Sequence, residues 1–236
     1  MGLLQDIKYC KANQTDYPDN LKKIKDYPSI LYYKGNIEIL NQEKNIAVIG
    51  SRKISETGRK LAYNAGNIIA QKGINLINGL ALGCDTEALK GALAAGGKCV
   101  VILPCGINEI YPKANEKLAD EILEQGGCLI SEYPEGTRME KYHFVQRDRL
   151  QSGMSQGVLV VEAMEKSGTM HTVEYAKRQN RRMACYYHGV LEYSSGNTIM
   201  ESKYQAEVIK TNEDLEKYLR DIACEQKYTQ LKFDFV

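Results

Sequence analysis

The chain has 236 residues, a length that allows one large domain or one domain with an appendage. Apolar residues make up 43% and charged residues 26%, which is enough for a sizeable core and excludes a wholly disordered chain. Lysine and arginine total 31 against 30 acidic residues, so the net charge of +1 excludes a uniformly basic nucleic-acid binder and leaves room for a local basic patch.

The first 44 residues differ in pattern from the rest of the chain. Tyr17-Pro18 and Tyr27-Pro28 mark turns, and the segment 31–35 (LYYKG) is typical of a short strand that leads into a turn. We therefore expect residues 1–44 to form an N-terminal extension that packs on the main domain.

From residue 45 onward, short apolar runs bounded by glycine or proline alternate with helical stretches. The runs lack polar alternation, which predicts strands that are buried on both faces. Ser55 is the expected N-cap of the first long helix and Gly73 its C-cap. The predicted strands are 45–50, 74–78, 98–103, 128–131, 157–162 and 182–187, and the predicted helices are 55–72, 84–95, 113–125, 146–153, 168–179 and 211–223.

Strands that alternate with helices predict βαβ units and a mostly parallel sheet. The expected fold class is α/β, with a Rossmann-like, doubly wound sheet and helices on both faces over residues 45–223. Residues 224–236 are expected to form a C-terminal tail, either a loose strand or a docking segment.

The cysteines indicate a reducing compartment. Their number, seven, is odd, and no two form a C-x-x-C pair, which argues against a disulfide framework or a structural zinc site. Three widely separated histidines make a histidine-based metal site unlikely, so we expect no metal and no cofactor. No apolar run is long enough to span a membrane and no signal peptide is evident, so we expect a cytoplasmic protein without membrane association.

Ligands of open α/β sheets bind beyond the carboxyl ends of the strands, so the residues that follow each strand are the candidate site. The first strand is followed by Gly50, Ser51, Arg52 and Lys53, where glycine admits an anion and arginine offers a fork for phosphate. A second glycine-rich turn follows the next strand, and Asp85 there is either part of this turn or a helix cap. That turn contains Gly79 and Gly83.

The segment 131–150 interleaves basic and aromatic residues, a pattern that suits single-stranded nucleic acid because cations bind phosphates and rings stack on bases. Phe144, Arg147 and Arg149 are its candidate contacts. The alternative is that Phe144 fills the core and the arginines are solvated. Neither the dinucleotide fingerprint nor a P-loop is present.

Ser167, Gly168 and Thr169 begin a helix after the fifth strand and form a further candidate anion site, with an ordinary N-cap as the alternative. The cations Lys177, Arg178, Arg181 and Arg182 fit the C-terminus of that helix. No nucleophile–base set can be assembled, so we expect no catalytic residue. Glu132 and Glu162 are a possible carboxylate pair, although hydrogen bonds to loop N–H groups suit them better.

The sum of these motifs resembles the DNA-processing family called DprA or Smf. The similar stretches run in order from about residue 17 to residue 210, without large gaps. They are YPDNLKKIKDYPSILYYKGN at 17–36, AVIGSRKISETGRKLA at 47–62, INGLALGCDTEALKGAL at 77–93, LPCGINEIYPKANEKLADEI at 103–122, SEYPEGT at 131–137, HFVQRDRLQSGMSQGVLVVEAMEKSGTMHTVEYAKRQNRR at 143–182 and SSGNTIM at 194–200.

The resemblance implies a non-enzymatic homodimer that protects single-stranded DNA and loads the recombinase RecA during natural transformation. It implies that Phe144 stacks on a base and that Arg147 and Arg149 hold the DNA backbone. The family's GSR loop corresponds to Gly50, Ser51 and Arg52, its GLARGID loop to Gly79, Gly83 and Asp85, and its SGS/SGT loop to Ser167, Gly168 and Thr169. We expect the Rossmann-like core alone, without the family's N-terminal helical domain or C-terminal winged helix.

Several positions depart from the family pattern. Asp148 stands where the family usually has Asn, and an inward-pointing carboxylate there would weaken the binding of a polyanion. Leu82 replaces a cation, which would lower the salt dependence of DNA binding by about one phosphate. The other departures are Val145 for Pro, Cys84 for an aliphatic residue and Leu89 near the usual His.

A different function remains open at this stage. The same fold family includes nucleotide-binding domains and the nucleoside-monophosphate phosphoribohydrolases of the "Lonely guy" type. Those enzymes carry a catalytic Glu shortly after Gly-Thr, whereas here the first Glu after Gly168-Thr169 is Glu174, about one turn further on. A nucleotide sensor, with a role in defence against foreign DNA, is the second alternative.

Overall fold

The computed structural model describes residues 6–233, with side chains up to Cys224. One nine-stranded sheet forms its centre. Its strands are β1 (Lys8–Lys11), β2 (Ile30–Gly35), β3 (Lys44–Ile49), β4 (Ile74–Asn78), β5 (Cys99–Ile102), β6 (Cys128–Ser131), β7 (Gly157–Val160), β8 (Arg182–Tyr186) and β9 (Glu207–Ile209).

Helices connect these strands and cover both faces of the sheet. They are α1 (Ile39–Gln42), α2 (Glu56–Gln71), α3 (Cys84–Ala94), α4 (Glu116–Glu124), α5 (Lys141–Met154), α6 (Thr169–Arg178), α7 (Ser195–Tyr204) and α8 (Asn212–Phe233). Adjacent strand residues point to opposite faces, so Ile46 packs with α2, α3 and α8, whereas its neighbour Ala47 packs with α6 and α7. Both faces are therefore buried, which explains why the strands show no polar alternation.

The strand order is β1-β2-β6-β5-β4-β3-β7-β8-β9. All pairings from β6 through β9 are parallel, while β2 joins β6, and β1 joins β2, in antiparallel fashion. The chain moves outward from β3 to β6 and then returns to the other side of β3 at β7. This reversal of direction creates a switch point between β3 and β7, and the prediction of a doubly wound α/β sheet is confirmed.

Residues near the N-terminus share the core of the sheet. Cys10, Tyr17, Leu21 and Leu31 are buried in a cluster with strand residues of β5 and β6 and with Leu150 and Met154 of α5. The Tyr17 hydroxyl donates a 2.5 Å hydrogen bond to the Pro28 carbonyl and thereby connects the two Tyr-Pro turns.

Several predicted boundaries differ from the structure. Helix α5 begins at Lys141 rather than 146 because the Glu140 and His143 side chains form a capping box at its start. The predicted helix 113–125 divides into a short 3-10 turn, Lys113–Asn115, and α4. Helix α8 continues to Phe233, whereas the sequence predicted a helix that ends at 223 and then a tail, either a loose strand or a docking segment. Strands β1 and β9 were not predicted.

The first long helix begins and ends as its sequence indicates. The Ser55 hydroxyl accepts a hydrogen bond from the Gly58 N–H at 3.0 Å, and Gly73 follows the end of α2 with φ of +67°. All seven cysteines are free thiols in the part of the chain that the structure describes, and six of them are buried. Between residues 6 and 233, no helix is long and apolar enough to cross a membrane.

Candidate nucleic-acid interface

A pocket of about 460 Å³ opens at the switch point between β3 and β7. The loop after β3, the N-terminus of α6 and one side of α5 form its walls. Nine of the predicted contact residues line it together: Gly50, Ser51, Arg52, Lys53, Phe144, Arg147, Ser167, Gly168 and Thr169. Gly79 lines a smaller recess next to it, with Leu82, Tyr111 and Pro112. Gly83 and Arg149 line neither cavity.

Backbone hydrogen bonds hold the loop after β3 in place. The Ser51 N–H donates to the Glu162 carbonyl at 2.7 Å, and the Cys84 N–H donates to the Ser51 carbonyl at 3.2 Å. Gly83 has φ of +82°, and a Cβ at this position would lie 2.4 Å from the Arg52 carbonyl oxygen. Gly83 therefore supports the Arg52 loop from below by close approach, which only glycine permits.

The Glu162 carboxylate connects the N-terminus of α2 to the loop before α7, next to the pocket. Its Oε2 accepts from the Ser55 N–H at 2.8 Å, and its Oε1 accepts from the N–H groups of Glu192 and Tyr193 at 3.1 and 2.9 Å. This buried carboxylate is thus fully engaged with loop N–H groups, as we expected, and does not form a pair with Glu132.

Arg52 and Phe144 meet at the mouth of the pocket. The guanidinium of Arg52 lies 5.3 Å from the centroid of the Phe144 ring, within the range of a cation–π contact. The Tyr111 ring meets Phe144 edge to face at 5.6 Å. Phe144 is half-buried and Arg52 is exposed, so both present surface to solvent. The structure excludes the alternative that Phe144 merely fills the core.

Tyr111 is a site residue that sequence reasoning missed. It follows β5, so the rule that ligands bind beyond strand ends would have indicated this loop. Its ring is 38% exposed, and Leu82, which lines the same recess, is 48% exposed. The recess of about 70 Å³ between them is an apolar surface adjoining Phe144, large enough for part of a planar ring.

Arg147 reaches the pocket from below, with most of its side chain buried. Its Nη1 donates to the Ile102 carbonyl at 2.8 Å, and its Nε donates to Asp148 Oδ1 at 3.2 Å. A Cβ at Gly79 would lie 1.7 Å from this Nη1, so glycine makes room for the guanidinium. Arg147 thus contributes positive charge to the pocket from a fixed position.

Asp85 organises the glycine-rich turn instead of capping α3. Its Oδ2 accepts from the backbone N–H groups of Gly79 and Ala81 at 3.0 and 3.2 Å. Burial raises the pKa of Asp85 to about 6, against the opposing influence of Arg147 and of these two N–H groups. The turn after β4 therefore carries a carboxylate below its surface.

Asp148, which stands where the family usually has Asn, faces the pocket. It lies at the pocket floor, where its Oδ1 accepts from Arg147 Nε and from Gln151 Nε2. Burial raises the pKa of Asp148, and the positive charge of Arg147, which also donates a hydrogen bond to it, opposes that rise. The pocket therefore has a cationic rim and an acidic floor.

Arg149, which the family resemblance predicts to hold the DNA backbone, lies outside this pocket. Its Nη1 and Nη2 donate to the two carboxylate oxygens of Glu132 at 2.9 and 2.7 Å, and its Nε lies 3.1 Å from Asp26 Oδ2. The side chain is nearly fully buried in this arrangement. The reason is helical geometry, since residues 147 and 149 point in different directions on α5.

The N-terminus of α6 closes the remaining side of the pocket. Gly168 is its N-cap residue and makes no side-chain cap, while the Ser167 hydroxyl donates to the Met164 carbonyl at 2.7 Å. The N–H groups of Met170 and His171 donate to the carbonyls of Ser167 and Gly168 at 3.1 and 3.0 Å, so the N–H groups that can serve an anion in the pocket are those of Gly168 and Thr169. On the adjoining rim, Lys53 Nζ lies 4.9 Å from the centroid of the Tyr193 ring.

The acid of the glycosidase alternative and the cations near the end of α6 lie outside the pocket. Glu174, the acid needed by the glycosidase reading, accepts a hydrogen bond from the Tyr204 hydroxyl and does not line the pocket. Arg181 donates to the carbonyls of Asn20 and Gly153, and Lys177 and Arg178 lie in the last turn of α6. Among the side chains that the structure describes, residues 6–224, no three His, Cys, Asp or Glu are grouped so that they could hold a metal ion.

The chain is similar in sequence to known DNA-processing proteins. The chain is 31% identical over 211 residues to DNA processing protein DprA of Bacillus subtilis, covering 89% of this chain and 71% of that one. It is 38% identical over 172 residues to protein Smf of Escherichia coli, covering 73% of this chain and 46% of that protein. The chain thus spans 71% of the length of the first of these relatives and 46% of the length of the second.

A solved structure shares the architecture. DNA processing protein A from Helicobacter pylori, studied for its single-stranded DNA binding mode, superposes with a TM-score of 0.82 at 26% identity, covering 94% of this chain and 99% of that one. The family model for DNA recombination-mediator protein A matches residues 8–220. On this evidence, the chain belongs to the DNA recombination-mediator protein A family, which includes the DNA processing proteins DprA and Smf.

Proposed function

We propose that this protein binds single-stranded DNA across the carboxyl edge of its sheet. The observation that carries the proposal is the contact between Arg52 and Phe144 at the mouth of the switch-point pocket. A cation for phosphate and a ring for stacking stand next to each other there, and these are the two groups that unpaired nucleic acid requires. The related protein from Helicobacter pylori, which binds single-stranded DNA, supports the same function.

In this proposal, Arg52 and Lys53 bind phosphates together with the N–H groups of Gly168 and Thr169. Phe144 stacks on an unpaired base, and Arg147 adds positive charge from below. Stacking inside a pocket selects single strands because bases in a duplex are already paired and stacked. No bond is broken in this mode of action, so the protein acts as a binder and not as an enzyme.

Family membership supports the finer parts of the proposal. We propose that the protein protects single-stranded DNA, loads RecA onto it during natural transformation or recombination, and acts as a homodimer that aligns two pockets along one strand. We also place it in the cytoplasm, because six buried free thiols suit a reducing compartment.

The test is fluorescence anisotropy with labelled dT oligomers and a matched duplex, each at several salt concentrations. We expect single strands to bind better than duplex, and Arg52→Ala to reduce the salt slope by about one phosphate. Lys117→Ala is the matched control, because it removes one exposed cation from α4 outside the pocket. If Arg52→Ala binds as tightly as the unaltered protein while Lys117→Ala weakens binding, the assignment of the groove is wrong.

RecA loading and dimerisation need separate measurements. The rate of strand exchange on DNA coated with single-strand-binding protein should rise when this protein is added together with RecA. Light scattering should give twice the mass of one chain. A monomer that binds DNA but does not accelerate strand exchange would limit the function to DNA binding.

A further inference from the structure

The floor of the switch-point pocket contains two hydrogen-bond acceptors that no protein donor satisfies. Gln151 is 3% exposed, and its Nε2 donates to Asp148 Oδ1 at 2.9 Å. Because a carboxylate oxygen accepts and an amide N–H donates, this bond fixes the orientation of the Gln151 amide. Its Oε1 is then left buried without a partner.

Asp148 supplies the second free acceptor. Both of its hydrogen bonds, from Arg147 Nε and Gln151 Nε2, go to Oδ1. Its Oδ2 has no partner among the side chains that the structure describes, and the residue lines the pocket. Gln151 Oε1 is a buried acceptor without a donor, which is destabilising by itself, and Asp148 Oδ2 is a carboxylate oxygen without a protein donor, so a group that donates hydrogen bonds would be stabilised there.

The chemistry of these acceptors excludes a phosphodiester from the floor. Phosphate oxygens only accept hydrogen bonds, and a carboxylate repels them. The complementary groups are hydroxyls or amines, and a ribose carries adjacent hydroxyls that suit a carboxylate. The DNA backbone has no such hydroxyl within the strand, so in an ordinary DNA chain only the amino groups of the bases could donate to the acidic floor.

The arrangement of the pocket favours the sugar over the base as the donor. Anion-binding N–H groups lie at the start of α6, and the ring of Phe144 lies at the mouth. With a phosphate on the first and a base on the second, the sugar between them faces the floor. A pocket of about 460 Å³ is in the size range of small-molecule sites and accommodates a nucleoside monophosphate.

We propose that this pocket also binds a ribonucleoside 5′-monophosphate, with the ribose hydroxyls held by Asp148 Oδ2 and Gln151 Oε1. Such a ligand would occupy the surface that we assign to DNA and would therefore compete with single strands. The inference uses the stacking role proposed for Phe144, but the acceptors on which it depends are separate from the DNA contacts.

The experiment is calorimetric titration of the full chain with AMP, dAMP, ribose 5-phosphate and inorganic phosphate. We expect AMP to bind at least about tenfold more tightly than dAMP, because the deoxy sugar leaves a buried charged acceptor unpaired. Asp148→Asn should abolish this ratio and at the same time strengthen the binding of a dT oligomer, since it removes a negative charge from the floor. Asp26→Asn is the charge-matched control, because Asp26 pairs with Arg149 outside the pocket.

The outcomes separate this inference from the DNA-binding proposal. A preference for AMP that disappears in Asp148→Asn and persists in Asp26→Asn supports the inference. Equal binding of AMP and dAMP, or no binding of either while dT oligomers bind, overturns it and leaves DNA binding intact. If neither nucleotides nor oligomers bind to a chain whose circular dichroism shows it folded, both proposals fail. Gln151→Leu, which removes the unpartnered oxygen and keeps the carboxylate, should reduce the AMP preference without changing oligomer binding.

Discussion

The guanidinium of Arg52 lies 5.3 Å from the centroid of the Phe144 ring, so the cation covers the surface on which a base would stack. A base can reach that face only if Arg52 moves toward a phosphate. On binding, Arg52 therefore exchanges the Phe144 ring for a phosphate, and Phe144 exchanges Arg52 for a base. This exchange predicts the sign by which the effects of the two substitutions on DNA affinity depart from additivity. Replacing either residue with alanine also removes the Arg52–Phe144 contact of the free protein, which must otherwise break before DNA binds.

We expect the double variant Arg52→Ala/Phe144→Ala to lose more affinity for dT oligomers than the two single variants combined. The excess should equal the lost cation–π contact, about 0.5–1 kcal/mol. Phe144→Ala alone should cost about 1–3 kcal/mol and reduce the preference for single strands. Anisotropy titrations of the four proteins at one salt concentration give the cycle, and strictly additive losses would mean that Arg52 stays on the ring in the complex.

Arg149 should matter for stability and not for DNA binding. Its bidentate bond to Glu132 is buried, and Arg149→Met leaves that carboxylate without its partner. We expect a loss of about 3–5 kcal/mol in the free energy of unfolding, measured with urea.

The double variant Glu132→Met/Arg149→Met should recover most of this stability, because no buried charge remains unpaired. In this folded double variant, the salt slope of dT binding should match that of the unaltered protein. A slope lower by about one phosphate would instead return Arg149 to the DNA interface.

Gly79→Ala should displace Arg147. The added Cβ would lie 1.7 Å from Arg147 Nη1, so the 2.8 Å bond from that atom to the Ile102 carbonyl must break. We expect about 1–3 kcal/mol of lost stability in urea unfolding. Gly168→Ala is the matched control: its Cβ meets no atom within 4 Å, its φ is −58°, and it should change stability by only a few tenths of a kcal/mol. Equal effects of the two substitutions would contradict this account.

Asp85 makes stability depend on pH. Its pKa is about 6 in the folded protein and 3.8 when unperturbed, so between these values the folded state binds more protons than the unfolded state. Stability from this group is therefore highest at low pH and is lost as the pH rises through about 6. Asp85→Asn removes this dependence.

We expect the difference in free energy of unfolding between wild type and Asp85→Asn to shift by about 1 kcal/mol in favour of wild type from pH 7 to pH 5. Between pH 7 and pH 8 the two curves should stay parallel, which serves as the internal control. Urea unfolding at the three pH values gives the comparison, and a shift in the opposite direction would mean that the carboxylate is stabilised in its charged form.

Much of the fold follows from local sequence. The unbroken apolar runs predicted the parallel sheet, because strands buried on both faces lack polar alternation. The cap at Ser55 predicted the start of the first long helix. The rule that ligands bind beyond strand ends also predicted most of the pocket lining. Short edge strands such as β9 carry too few residues for a recognisable pattern.

The α/β class, the family and the loops that meet at one edge of the sheet could be predicted from the sequence, because they depend on periodicity and on motifs within short stretches. The role of each charged side chain depends on the tertiary fold. Arg147 and Arg149 are two residues apart, yet one reaches the pocket and the other pairs with Glu132. Whether a charge faces solvent, a ligand or a partner depends on helix rotation and on distant chain segments, which a local pattern does not contain.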